Sequence, residues 1–174
     1  ESNDSIWELT RARIPWLLIG MAGGLLGAKI IGIFDIENNL ELALFIPLIA
    51  AMGGNIGIQS AAIVVQGLAN NTLKMENLFQ KLLKELGVGL LNGIICSLII
   101  LILSFILGYK IKLSLTVSIS LLAVIVFAAL FGTFIPLTLK KYKIDPALAT
   151  GPFITTINDI IGLFIYFWIG QKIL

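Results

Sequence analysis

Long apolar runs alternate with short polar breaks along the chain, and that alternation predicts five membrane-spanning helices. A helix rises 1.5 Å per residue and the hydrocarbon core is about 30 Å thick, so roughly 20 apolar residues cross it. The runs at 14–34, 40–68, 77–107, 113–139 and 147–174 have that length. Ahead of them, residues 1–10 are polar with one tryptophan, Trp7. Asn3, Asp4 or Ser5 is placed there to cap a short helix running into Arg11 and Arg13. The chain thus divides into an interfacial or connecting segment, 1–13, and a five-helix transmembrane unit, 14–174.

Within the runs the departures from plain hydrophobicity carry information. Gly20, Gly23, Gly24, Gly27 and Gly32 give the first span a small-residue surface that lets helices approach closely in lipid. Lys29, near its far end, reaches the headgroups. The second span is polar and glycine-rich at its centre, and Asn55, Gln59, Ala62 and Gln66 share one helical face. The third begins amphipathically, with Lys81, Lys84 and Glu85 in its first turns. The fourth carries little that is polar beyond Ser114, Thr116, Ser118, Ser120 and Thr133, and Pro136 predicts a bend near its end. Asp145-Pro146 reads as the cap and first residue of the fifth. Arg11, Arg13, Lys74, Lys81, Lys84, Lys140, Lys141 and Lys143 flank one side, while Lys110, Lys112 and Lys172 flank the other, with Lys29 nearer to them. The positive-inside rule then predicts a cytoplasmic N-terminus and an extracellular or periplasmic C-terminus. The odd span count argues against a simple inverted repeat.

Composition sharpens this picture. Hydrophobic residues make up 58% of the 174 residues and charged residues only 13%, about half the share found in soluble domains. That balance predicts a multi-pass protein of the cell (inner) membrane, in contact with lipid. The first run is too long for a cleavable signal and has further spans behind it. The chain begins at Glu1 without Met, which reads as an excised piece or a natural short form. Cys96 is the one cysteine, so no intramolecular disulfide forms. There is no histidine, which removes the usual nitrogen ligand for zinc, copper or nickel and favours oxygen-bound hard cations such as magnesium, calcium or manganese. A net charge of +2, scattered along the chain, gives no reason to expect nucleic acid.

The stretch 151–162 then stands out, because Asp159 sits in the middle of the fifth run. A carboxylate at bilayer depth is costly and marks an ion pathway unless a partner neutralises it. Its helical face holds Pro152, Thr155, Thr156, Gly162 and Tyr166, whereas Phe153, Ile157, Ile161 and Phe164 lie opposite. Gly151-Pro152 is expected to loosen the helix and free carbonyls as oxygen ligands. The competing reading is a structural carboxylate, paired with Lys29 or satisfied by neighbouring amides and hydroxyls. One carboxylate does not enclose a divalent ion, but two copies across a two-fold axis along the bilayer normal supply two charges. This predicts a homodimer with a central pore lined by helices two and five, using Gly151, Pro152, Thr155, Thr156, Gly162, Asn55 and Gln59. Asn55 and Gln59 serve equally well as interhelical hydrogen-bond formers, worth about 0.6 kcal/mol each in membranes. Glu85 is a candidate cytoplasmic-side ion contact, with a plain i,i+4 bridge to Lys81 as the simpler reading.

Three segments resemble the MgtE family of magnesium channels. Gly54-Asn55-x-Gly57-x-Gln59-Ser60 after Phe45-Ile46-Pro47 is similar to that family's second helix. Residues Lys84 to Leu90 are similar to the start of its third, and Asp145-Pro146-Ala147-Leu148, Pro152, Asp159 and Gly162-Leu163 to its fifth. The resemblance covers nearly the whole chain in order. It implies a homodimer of five-helix subunits and a hydrated magnesium ion held by paired Asp159, with the Thr155 carbonyl helping to hold its water shell. It also implies a cation channel rather than an enzyme, with Mn2+, Co2+, Ni2+ or Ca2+ as competitors. Family members carry a cytoplasmic N domain and paired CBS domains before the first helix; here residues 1–10 resemble the end of the connecting helix. Gly151 stands where an Asn can occur in the family, and Thr155 where an Ala can occur. Two alternatives remain: a sodium- or proton-coupled magnesium exchanger and, more remotely, an intramembrane aspartyl protease built from two Asp159 copies.

Overall fold

The computed structural model describes residues 5–34, 37–72, 78–149 and 151–174. Among them are five helices long and apolar enough to cross a membrane. The first, α1 (Ile6–Ile33), absorbs the polar lead-in instead of following it. Ser5 closes its start with a capping box: Ser5 Oγ accepts from the Glu8 amide at 3.3 Å, and Glu8 Oε2 accepts from the Ser5 amide at 2.9 Å. Asn3 and Asp4, the alternative caps, lie outside the described residues. The helix runs on through Pro15, so no break divides the lead-in from the first span.

A 3-10 segment (Glu37–Phe45) leads into α2 (Ile46–Ala69), which carries Pro47 in its first turn, where a missing N–H costs nothing. Helix α3 (Leu78–Ile106) and helix α4 (Ile111–Lys141) come next. Pro136 does not interrupt α4, which stays helical for five residues beyond it. The start of the last helix differs from the expectation. Asp145 Oδ1 accepts from the Ala147 amide at 2.9 Å and so caps a 3-10 turn, Pro146–Ala149. Helix α5 (Pro152–Ile173) starts only after Gly151, with Pro152 as its opening residue. Of the two Asp/Gly-Pro signals, the second sets the helix start.

Helix α4 lies at the centre, packed against α2, α3 and α5, while α1 rests on α5. Ile49, Leu113, Val117, Leu121, Ile125, Tyr166 and Phe167 form the main core between α2, α4 and α5. Lipid is as apolar as these side chains, so close packing rather than water exclusion holds the helices together. Glycine makes that packing possible where α2 crosses α4: a Cβ on Gly132 would run into the Gly57 carbonyl. Tyr166 Oη donates to the Leu42 carbonyl at 2.9 Å and ties α5 to the segment before α2. The outer faces of α1 and α3 carry exposed Leu17, Leu25, Leu91 and Ile102, as suits contact with acyl chains.

Candidate ion site

The site is built from the start of α5 downward. Gly151 has φ of 101°, a conformation that side chains with a Cβ rarely adopt, and it turns the chain from the 3-10 segment into α5. Its carbonyl is not free. Both the Thr155 amide and the Thr155 hydroxyl donate to it at 3.2 Å, so the expected loosening yields no spare ligand there. One turn further on, Asp159 is half-buried. Thr155 and Asp159 face Gly54 of α2, whose absent side chain leaves the gap: a Cβ there would sit 3.6 Å from Asp159 Oδ1. A cavity of about 270 Å³ opens beside the carboxylate between α1, α2 and α5, bounded by Gly23, Gly24, Gly27, Ala50 and Thr156. Gly23 is required for this seat, since the Thr156 methyl occupies the place its Cβ would take.

Asp159 has no hydrogen-bond or ion-pair partner among the described residues. Lys29, the one base suggested for it, is exposed and unpaired with it. No group of three or more acidic or thiol side chains converges among the described residues.

The other anticipated residues separate into distinct places. Thr156 lines the cavity with Asp159, and Thr155 lies at its α2 side. Pro152 is exposed at the helix start. Gly162 is buried against Val124 and Ile49, and Tyr166 is a core residue, so the Asp159 face turns inward beyond one turn. Asn55 and Gln59 are exposed on α2, and neither is hydrogen-bonded to a described residue. Glu85 lies in a separate pocket with Gln59. Sequence reasoning missed Asn158: it is 1% exposed, it packs on Gly53 and Gly57, and neither amide atom is satisfied. The signal was the Gly53-x-x-x-Gly57 pair, which marks a surface on α2 that receives a neighbour closely.

The profile of the MgtE family, described as a divalent cation transporter, matches residues 46–169. This chain belongs to the MgtE family. It is 37% identical over 160 residues to the magnesium transporter MgtE of Bacillus subtilis, a match covering 91% of this chain and 36% of that protein. Against the magnesium transporter MgtE of Thermus thermophilus it is 33% identical over 165 residues, 94% of this chain and 36% of that one. The magnesium transporter MgtE of Enterococcus faecalis is 34% identical over 173 residues, 98% of this chain and 38% of that one. The chain thus spans little more than a third of the length of these curated MgtE relatives. MgtE proteins are transporters, not enzymes, and the aspartyl protease reading is dropped on that ground. The five apolar helices make this MgtE chain a multi-pass membrane protein.

Proposed function

We propose that this chain forms the pore of a divalent cation channel that passes magnesium into the cytoplasm, with the ion held by Asp159 from two subunits. The observation that carries the reading is a carboxylate in the body of an apolar helix, with no partner among the described residues, beside a cavity of about 270 Å³. A magnesium ion that keeps its waters meets each carboxylate through water, and the cavity beside Asp159 leaves room for waters there. The three relatives are all named magnesium transporters, which supports the choice of ion. Homodimerisation about an axis along the bilayer normal doubles the charge to match a divalent ion. It also brings the exposed amide of Asn55 to a shared, wet interior. With the N-terminus in the cytoplasm, the membrane potential drives entry by about 2.3 kcal/mol per charge per 100 mV, twice that for a divalent ion.

Magnesium flux into liposomes, read with an entrapped magnesium dye at matched protein content, tests this. Asp159→Ala is expected to abolish flux while the protein still purifies as a folded species. Undiminished flux in that variant would rule out Asp159 as the ion site. Unitary currents in planar bilayers are expected for the wild-type protein, and strictly coupled flux without such currents would replace the channel with an exchanger.

A further inference from the structure

A second buried carboxylate lies apart from Asp159. Glu85, in the second turn of α3, is 7% exposed. Ser60 of α2 donates its hydroxyl to Glu85 Oε1 at 2.7 Å. The other oxygen, Oε2, has Lys81 Nζ at 3.8 Å, well beyond the ~2.7–2.9 Å of a charge-assisted hydrogen bond. Lys81 therefore balances the charge without ligating it. Gln59 of α2 and Asn92 of α3 complete a pocket of about 110 Å³ between α2, α3 and α4. Neither of these amides is hydrogen-bonded to a described residue. The pocket thus gathers a carboxylate, a hydroxyl whose lone pairs are still open, and two amide oxygens. That donor set is made of hard oxygens.

Size and charge decide what it takes. At about 30 Å³ per water the pocket holds a cation and two or three waters, well short of the ~180 Å³ of a hexahydrated divalent ion. Magnesium gives up its waters reluctantly, so a pocket of this size does not suit its complete shell. With a single carboxylate, a monovalent cation replaces the Lys81 ammonium charge for charge, whereas a divalent ion leaves an excess positive charge beside the buried Glu85. We propose that the Glu85 pocket is a monovalent cation site that takes sodium with part of its hydration shell removed, in which Lys81 supplies the balancing charge when the ion is absent. Bound sodium bridges Ser60 and Gln59 on α2 to Glu85 and Asn92 on α3. Gly54, opposite Asp159, lies six residues before Ser60 on α2, about 9 Å along the axis, so occupancy sets the position of the helix that faces Asp159.

Thermal unfolding of the purified full chain in nanodiscs, free of divalent ions, tests the site. NaCl is compared with KCl and choline chloride at constant ionic strength. The midpoint is expected to rise saturably with NaCl alone, in the wild type and equally in Asp159→Asn, which separates this site from the pore reading. Glu85→Gln is expected to remove the NaCl dependence. Should Glu85→Gln not fold, Ser60→Ala serves in its place and is expected to raise the NaCl concentration for half effect about tenfold, near the loss of one good oxygen ligand. Lys81→Met is expected to lower that concentration about threefold, the scale of a partly exposed ion pair. A midpoint that does not distinguish NaCl from KCl in the wild type overturns the proposal. So does a sodium effect that survives Glu85→Gln, or a Lys81→Met variant that is destabilised without any change in cation dependence.

Discussion

The glycines of this chain divide into those that face open space and those that let a neighbour in. A Cβ at Gly57 would collide with the Asn158 amide nitrogen, whereas a Cβ at Gly87 meets nothing. Gly57→Ala is therefore expected to destabilise by about 1–3 kcal/mol through overpacking, and Gly87→Ala to stabilise by up to about 1 kcal/mol through helix propensity. Thermal unfolding in one detergent compares the two directly. Tyr166 makes a similar point with a single atom. Tyr166→Phe keeps the ring packed and removes the hydrogen bond to the Leu42 carbonyl, for an expected loss of about 1 kcal/mol in the same assay. At this scale the sequence was partly legible. The cost of a charge in lipid singles out Asp159 from one chain alone. The orphaned amide of Asn158 was invisible, because polarity along a helix does not tell which side a neighbouring helix covers.

At the scale of elements, hydropathy located all five helices, with the ends within a few residues and three of the starts displaced by five to eight; at the second the first turns form the 3-10 segment that leads into α2. The departures at the first and last helices come from capping. Ser5 and Glu8 extend α1 outward through residues that are polar and therefore read as a lead-in. Asp145 uses its cap on a 3-10 turn, and the left-handed Gly151 moves the start of α5 to Pro152. Helix α5 therefore depends on a backbone conformation that a Cβ disfavours. Gly151→Ala is expected to cost about 1–3 kcal/mol of stability and to lower magnesium flux, because it shifts the helix that carries Asp159. Gly108, with φ of 85° between α3 and α4, provides the control. Gly108→Ala carries a similar strain, so an equal fall in unfolding midpoint with flux retained would separate the two roles.

For the whole molecule, the proposed pairing puts two copies of Asp159 across an axis along the bilayer normal. Asp159→Cys, in a chain whose native Cys96 is replaced by Ala, is expected to crosslink between subunits with a bismaleimide long enough to span a hydrated ion. Crosslinked dimer on denaturing gels is the readout, and monomer alone would remove the paired-aspartate site. The glycine face of α1 belongs to this scale too. Gly23, Gly24 and Gly27 read in the sequence as a helix-contact surface, and the structure puts them around the Asp159 cavity, with Gly23 taking the Thr156 methyl. Spacing alone does not separate those two uses, because both need a missing side chain.

The lone carboxylate also bears on how the protein is made. Near the middle of a bilayer an aspartate costs roughly 2.5–3.5 kcal/mol to insert, while each Leu, Ile, Phe or Val returns only about 0.3–0.6 kcal/mol. With Asp159, Asn158 and two threonines in its first half, α5 is close to balance as an isolated segment leaving the translocon. Helices α1 to α4, synthesised earlier, offer it a glycine-lined seat. The last helix is thus the one whose entry into the membrane waits for the others to be there.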